Sequence, residues 1–470
     1  MLKWVLFLAI AVGLVLWSEY EAVFAELSYL AVGVVFFVAL AIAFTRGTDA
    51  LYLIVFAVLF SPEIGVIGAT GRSAGEGSAG IVFRLEDVLL FAVACGWLLR
   101  TAYQRRHFGI LNTPVNKPLL VYMGMSLLAT LFGILGGRVK ILAGLMNNLK
   151  YFEYAFLFFM VLAHVRSREA IIRMVDATFL AFFLVLVYGY AQIDPVNPVR
   201  VCAPFDTEPN TFGGYIVLIQ CVAFGVLLTD RRFAVRARMG FLCLFALGPL
   251  LFTLSRASYL AFFMGVFMFL AISRYRIAVF AMALGLLAGF LILYPMLPTR
   301  VQDRIEGTFR KGSQYHVQVV GIDLDPSASA RIISYGEALA IWERSPLLGH
   351  GVTGTHFIDS QYFRLLAETG LIGLGAFLFL MATLLREIWR VYLMCDDGYL
   401  KGVSLGLFVG SVAMLMHAVS ANTFIIVRIA EPFWLLSALV LLIPHTARFM
   451  DTVVPVRVPG LGRVGLSGTT

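Results

Sequence analysis

Charged residues are scarce in this sequence. Only 14% of its 470 residues are Asp, Glu, Lys or Arg, whereas 60% are hydrophobic, and an ordinary soluble domain carries roughly 25% charged residues. Most of the chain must therefore face a medium other than water, which argues against a soluble globular domain. The formal net charge of +8 does not indicate nucleic-acid binding, because the basic residues lie in short clusters between apolar runs, as in the cytoplasmic loops of membrane proteins.

Sequence motifs for metals, cofactors and disulfides are also lacking. The five cysteines contain no CxxC pair, and several of them lie inside apolar runs, where they behave as small hydrophobic residues. Asp323 and Asp325 have the spacing of a metal-binding DxD motif, but nucleotide sugars are cytosolic and this loop is predicted outside, so a solvated turn is the favoured interpretation. The sequence therefore predicts no structural metal, no disulfide and no cofactor.

Apolar runs dominate what is present. Because a membrane-spanning helix needs roughly 20 apolar residues, the sequence predicts an all-α polytopic membrane protein with about fourteen transmembrane helices. The predicted spans are 2–17, 27–44, 49–60, 86–100, 117–135, 149–164, 173–190, 211–228, 239–254, 257–273, 277–295, 370–387, 402–420 and 430–447. The first run also resembles a cleavable signal peptide, which leaves the remaining topology unchanged.

The positive residues predict the orientation. With a cytoplasmic start, one face receives most of the arginine clusters in the short loops, and the positive-inside rule makes that face the cytoplasm. The predicted organisation is then eleven helices in 1–295, a partly helical extracytoplasmic loop in 296–369, three helices in 370–448 and a cytoplasmic tail in 449–470. Long loops often carry function, so we expect the active face to be extracytoplasmic.

Several arginines remain at the predicted outer edge despite this rule, and charge at a lipid boundary is a candidate for function. Arg256 interrupts two apolar runs with almost no loop, and its alternative role is to anchor the protein to lipid phosphates. Arg200 precedes a Glu-Pro-Asn stretch in which Asn210 is expected to cap a helix; a solvated loop cation is its alternative. We expect substrate contacts from Arg200, Arg256, Arg304 and Arg428.

The end of the long loop supplies the candidate catalytic groups. A glycine-rich turn over 349–354 leads into a short amphipathic helix, and its glycines do not form a phosphate-binding motif. Asp359 is either the N-cap of that helix or a general base beside His356. The sequence leaves these two roles of Asp359 open, and His356 is either a catalytic group or a polar loop residue.

Motifs in this order resemble the O-antigen ligase and polymerase family of bacterial envelope biogenesis. The stretches that carry the resemblance are 150–154, Arg200 with 208–210, 254–257 and 346–373. The resemblance implies an integral-membrane, metal-independent glycosyltransferase in the bacterial inner membrane. It implies transfer of a glycan from undecaprenyl diphosphate to an acceptor hydroxyl, with membrane lipid and other polysaccharide assembly and export proteins as partners. Arg200 and Arg256 would then be diphosphate ligands.

The chain departs from the ligase pattern at one position. Ligases of this family usually have a histidine where this sequence has Asp359, which favours a polymerase of O-antigen, capsule or exopolysaccharide, although His356 lies close enough to substitute. A ligase that transfers glycan to the lipid A core and a non-enzymatic lipid-carrier flippase or transporter are the alternatives. A transporter would be expected to show repeated halves, and no repeat is visible.

Overall fold

The computed structural model describes residues 25–61, 63–67, 81–104, 111–194, 200–204, 208–272, 318–319, 322–323 and 326–451, with isolated positions between 277 and 302. The predicted spans 2–17 and, for the most part, 277–295 lie outside the described residues, as do Arg304 and the tail from residue 452.

The described chain is mainly helical. In chain order, the helices are α1 (Ala25–Thr45), α2 (Gly47–Phe60), α3 (Leu85–Tyr103), α4 (Asn116–Leu135), α5 (Ile141–His164), α6 (Arg168–Ala191), α7 (Pro209–Thr229), α8 (Phe233–Phe245), α9 (Leu247–Phe252), α10 (Arg256–Ile272), α11 (Pro326–Trp342), α12 (Gln361–Met394), α13 (Gly398–His417) and α14 (Val427–Asp451). Helices satisfy their backbone hydrogen bonds internally, which a lipid environment requires.

Two short antiparallel ribbons accompany the helices and leave the fold class helical, as predicted. Strand β1 (Glu63–Ile67) pairs with β2 (Ile81–Arg84), and β3 (Gln318–Val319) pairs with β4 (Ile322–Asp323). Both ribbons lie in predicted loops, where the apolar periodicity that identifies spans gives no signal for a short hairpin.

Among the described residues, seven helical stretches are long and apolar enough to cross a membrane, and α1, α2 and α10 contribute shorter apolar stretches. The protein is therefore a multi-pass helical membrane protein. The predicted span 239–254 consists of α8 and α9, which follow one another directly as the apolar stretch Phe233–Phe252.

The core of the bundle is the pair α7 and α13. Most of α7 is buried, and it contacts α13 along its length. A Cβ atom on Gly406 would meet the Val222 backbone at 2.5 Å, so a larger residue would push the two helices apart. Small residues at such contacts let helices pack closely in membranes.

Helix α12 is kinked near its start. Gly370 has φ 67° and ψ −169° and separates a short first segment from the long apolar remainder. Helix α11 packs on the first segment, where the rings of Tyr335 and Phe363 stack with centroids 4.4 Å apart. The predicted span beginning at 370 thus corresponds to the second segment, and the short helix expected before it is present.

Candidate functional site

A cavity of about 310 Å³ opens at one end of the bundle, which we name the cavity end. It lies among the starts of α3, α7 and α12, the first half of α5, the segment before α12, and the connector between α13 and α14. Its lining residues are Arg84, Met146, Asn147, Lys150, Glu208, Asn210, Thr211, Phe357, Asp359, Arg364, Ala421, Asn422, Ile425, Ile426, Val427 and Arg428.

Three of the cations in the cavity wall are accompanied by an acidic side chain. Arg84 Nη1 lies 3.6 Å from a Glu86 carboxylate oxygen, and Lys150 Nζ lies 3.5 Å from Asp87. Arg364 Nε lies 3.2 Å from Glu368, one helical turn away. Because the acids are buried, they hold the cations in the wall and reduce the desolvation penalty of placing them there.

Arg428 is one of the most deeply buried side chains, at 1% exposure. Its guanidinium donates to the carbonyl oxygens of Leu59 at 2.8 Å and Ser61 at 3.1 Å. These carbonyls end α2 and have no intrahelical donor. Arg428 therefore joins the end of α2 to the wall of the cavity, and its place in that wall is compatible with the predicted substrate contact.

Arg200 and Arg256 belong to one local structure at the cavity end, although they are far apart in sequence. Val201 N donates to the Phe252 carbonyl at 2.9 Å, and Arg200 Nε donates to the Thr253 carbonyl at 3.2 Å. Arg256 is the first residue of α10, three positions after Thr253. The segment 200–204 thus docks on the junction between α9 and α10, which brings the two arginine-bearing segments together.

Asn210 connects this junction to the cavity. Its side chain lines the cavity, and its Oδ1 accepts a hydrogen bond from Ser255 Oγ at 2.8 Å. Helix α7 begins at Pro209 with Glu208 in the N-cap position, so the prediction that Asn210 caps the helix is wrong. The carboxamide instead links α7 to the residue that precedes Arg256.

Asp359 lies in the cavity wall, and its carboxylate is 3.5 Å from Arg331 Nε on α11. Ser360, not Asp359, occupies the N-cap position of α12, so the capping interpretation of Asp359 is wrong. Burial raises the pKa of Asp359 above its ordinary value, and Arg331 partly offsets this increase. A carboxylate with a raised pKa is a better proton acceptor than an ordinary aspartate.

His356 lies on the same segment but has a different neighbour. Its Nε2 is 3.2 Å from a Glu337 carboxylate oxygen on α11, and both side chains are well exposed. Asp359 and His356 are therefore paired with two different residues of α11, Arg331 and Glu337.

Sequence reasoning did not identify every group in this wall as part of a site. Lys150 pairs with Asp87 on α3. Asn422 Nδ2 donates to the Ile358 carbonyl at 2.9 Å and so holds the segment before Asp359. Of these groups, the pair of Arg364 and Glu368 could have been recognised from the sequence, because residues four apart on a helix share a face.

Comparison with known protein families gives one match, in which residues 241–378 fit the family model described as O-antigen ligase. The resemblance expected from the sequence is thereby confirmed. The matched segment contains Arg256 and Asp359, and it supports membrane glycosyl transfer of the O-antigen ligase or polymerase type. Members of that family are glycosyltransferase-like enzymes that use a lipid-linked glycan. No curated protein matches the chain.

Proposed function

We propose that this protein, which carries an O-antigen ligase family segment at 241–378, polymerises glycan repeat units that are linked to undecaprenyl diphosphate. The reaction takes place at the cavity end, which faces the outside of the bacterial cytoplasmic membrane. The enzyme needs no metal ion, and the products are O-antigen, capsule or exopolysaccharide chains.

The observation that carries this proposal is the meeting of three elements at one end of the bundle. Asp359 stands in the wall of the cavity, Asn210 stands in the same wall, and Asn210 is hydrogen-bonded to the residue that precedes Arg256. The candidate base therefore borders the cavity, and the candidate phosphate ligand Arg256, which is not itself a lining residue, follows a residue that is hydrogen-bonded to the cavity wall. The cavity also has cationic side chains in its wall, which suits an anionic leaving group.

In the proposed reaction, Asp359 accepts the proton of the acceptor hydroxyl, and the resulting nucleophilic oxygen attacks the anomeric carbon of the donor glycan. The bond between that carbon and the diphosphate oxygen breaks, and the lipid diphosphate departs with its bonding electrons. Arg200 and Arg256 bind the diphosphate as its negative charge increases, which stabilises the transition state more than the ground state. Arginine suits this role because its planar fork makes paired contacts to phosphate oxygens. Arg428 and Arg304 remain further candidate ligands.

The choice of polymerase over ligase rests on Asp359, because ligases of the resembling family have a histidine at that position. His356 is the residue that favours the second candidate, an O-antigen ligase, since it lies three positions before Asp359 on the same segment. Deletion of the gene separates the candidates by glycan length. Loss of a polymerase leaves single repeat units, loss of a ligase leaves polymer on the lipid carrier, and loss of a flippase leaves no glycan outside.

Replacement of Arg256 tests the assigned chemistry. We expect Arg256→Ala to lower the transfer rate by about 10²–10³ at unchanged protein level, and Arg256→Lys to recover part of the activity because it keeps the charge and loses the fork. Arg232→Ala is the matched control, since Arg232 is an exposed arginine in an ion pair at the other end of the bundle. Wild-type chain length with Arg256→Ala would leave Arg256 as a lipid anchor.

Reporter fusions test the orientation. Fusions of a reporter that is active only outside the cytoplasm should be active at Ser313 and Ser327, and a cytosolic reporter at the same positions should be silent. The reverse pattern would contradict the extracytoplasmic assignment of residues 296–369.

A further inference from the structure

A chain of buried polar side chains lies behind the cavity wall and has no role in the proposed reaction so far. His417 Nδ1 lies 2.7 Å from Thr423 Oγ1, and its Nε2 lies 3.4 Å from Ser258 Oγ. Ser258 Oγ donates to Ser255 Oγ at 2.8 Å, and Ser255 Oγ donates to Asn210 Oδ1, also at 2.8 Å. His417, Ser258, Ser255 and Thr423 are at most 1% exposed. The chain therefore runs through the bundle interior from α13 to the cavity wall.

The hydrogens of this chain can be assigned because each hydroxyl has one proton to donate. The proton of Ser255 goes to Asn210 and that of Ser258 goes to Ser255, so Ser258 Oγ can only accept from His417. The imidazole therefore carries its proton on Nε2, and Nδ1 accepts from Thr423. All bonds then point in one direction, from Thr423 to Asn210.

The hydrogen bond from Ser255 gives the orientation of the Asn210 side chain. Because Oδ1 accepts from Ser255, the amide group of the carboxamide is on the side away from Ser255. Asn210 is part of the cavity lining, so this orientation presents N–H donors to a ligand in the cavity. Asparagine N–H groups are among the donors that stabilise developing negative charge in enzyme sites.

The same chain determines where α10 begins. Ser255 Oγ accepts from Ser258 N at 3.3 Å, which is the hydrogen bond of a serine N-cap. Ser255 N in turn donates to Thr253 Oγ1 at 3.2 Å, and Leu254 between them has φ 52°. A left-handed leucine is strained and needs such support. Arg256 follows the cap directly, so its backbone position depends on Ser255 and Ser258.

A close approach between helices makes room for the chain. A Cβ atom on Gly213 of α7 would collide with Ser258 Oγ, and one on Gly214 would lie 3.1 Å from His417 Cε1. The consecutive glycines therefore let α7 pack directly against the histidine and the serine.

The connector between α13 and α14 holds the opposite side of the cavity as well. Asn422 Nδ2 donates to the Ile358 carbonyl, and Gln361 N donates to the Ala418 carbonyl at 3.0 Å. These contacts flank Asp359 on both sides. One short connector thus supports the segment of the candidate base and, through His417, the segment of the candidate phosphate ligand.

We propose that Asn210 binds the diphosphate of the donor through its amide N–H groups, and that His417 is the positioning residue that orients Asn210 and the start of α10 towards that diphosphate. This inference rests on the proposed function, since it assigns new residues to the same donor. His417 acts through Ser258 and Ser255 and through its hydrogen bond with the Asn210 backbone, and it touches no reacting atom.

Paired substitutions test both roles. Asn210→Asp keeps the acceptor for Ser255 and replaces the N–H donors by a negative oxygen, so we expect a higher KM for the donor and a transfer rate lower by about 10²-fold. His417→Gln keeps a donor near the position of Nε2, whereas His417→Asn keeps a polar atom only near Nδ1. We expect His417→Gln to retain most activity, and His417→Asn to lose up to about 100-fold in kcat because a small displacement of Arg256 and Asn210 suffices for such a loss.

The measurements are kcat and donor KM of purified wild type and variants with a polyprenyl-diphosphate glycan, together with thermal unfolding. Ser411→Ala is the control, since Ser411 is a buried serine on α13 that bonds only to the Leu407 carbonyl in its own helix; it should keep wild-type kinetics. Equal kcat for His417→Gln and His417→Asn would overturn the positioning role. An unchanged donor KM and kcat in Asn210→Asp would overturn the contact. If the wild type itself transfers no glycan, the proposed function fails; if Arg256→Ala is inactive while these variants are normal, only this inference fails.

Discussion

The arginines that line the cavity are less exposed than the arginines at the opposite end of the bundle. At the end opposite the cavity, which includes Arg168, Asp230 and Asp397, the guanidinium groups remain in contact with solvent: Arg232, paired with Asp230, is 62% exposed, and Arg168, paired with Asp397, is 38% exposed. At the cavity end, Arg84 and Arg364 are 18% and 16% exposed. Exposed pairs cost little and contribute little, whereas buried guanidinium groups carry a desolvation penalty of several kcal/mol.

The difference indicates which arginines the fold buries at a cost in stability. In the predicted orientation, the arginines at the opposite end satisfy the positive-inside rule, and any basic residue in those loops would do so. Those that line the cavity are held by buried acids or, for Arg428, by carbonyl oxygens at the end of α2. A protein retains such groups at a cost in stability when they serve a site. Four changes test this contrast.

The largest expected effect concerns the aspartates. Asp359→Asn at the cavity end should lower glycan transfer by about 10²–10⁴, because the base is lost while shape is kept. Asp397→Asn at the opposite end should leave the transfer rate unchanged, since Asp397 caps α13 and asparagine also caps well. The measurement is transfer by purified variants. Normal transfer with Asp359→Asn would remove Asp359 from the reaction and make His356 the candidate base.

A second contrast concerns stability. Arg428→Met should leave the carbonyls of Leu59 and Ser61 without their buried donor and destabilise the protein by on the order of 3 kcal/mol. Arg238→Met removes a pair with Asp176 in which the two side chains are 51% and 34% exposed, and it should change stability by less than about 1 kcal/mol. Thermal unfolding in detergent measures both. Equal shifts in Tm for the two variants would contradict the contrast between the ends.

The pH dependence of stability should have opposite signs at the two aspartates. Burial raises the pKa of Asp359, so the folded state binds more protons there than the unfolded state, and this contribution falls as pH rises from the ordinary aspartate value through the raised one. Burial also opposes ionisation of Asp397, but the Leu400 amide and Arg168 outweigh it and lower its pKa. Its contribution is present above the ordinary value and is lost as pH falls through the lowered pKa.

Unfolding of wild type, Asp359→Asn and Asp397→Asn across acidic pH measures this difference. The stability deficit of Asp397→Asn relative to wild type should be largest at neutral pH and should shrink as pH falls. The stability of Asp359→Asn relative to wild type should increase as pH rises. The same slope in both variants would contradict the opposite pKa shifts.

The smallest expected effect is that of salt. Raising the ionic strength from about 0.15 M to 1 M shortens the Debye length from about 8 Å to about 3 Å, so exposed pairs such as Arg238 with Asp176 should weaken by a few tenths of a kcal/mol. The difference in Tm between wild type and Arg238→Ala should therefore shrink in high salt. The deficit of Arg364→Ala should persist, because its pair with Glu368 is buried.

Much of the fold followed from residue type and order. The helices α3 to α7 lie where apolar runs predicted spans, because a run long enough to cross lipid must form a helix to satisfy its backbone. The division of the 239–254 run into α8 and α9 was not predicted, and neither were the short ribbons. Apolar content gives no information on a break in one run or on two strands that pair across a loop.

The candidate site divides in the same way. The sequence by itself predicted Arg200, Arg256 and Arg428 as candidates for function, because a cation beside a long apolar run has an energetic cost. Only the tertiary structure decided that Asn210 meets Ser255 from 45 positions away and that His417 meets Ser258 from 159 positions away. Such contacts depend on which helices pack side by side, and in lipid that choice comes from shape and small residues rather than from hydrophobicity, which is the same on every apolar face.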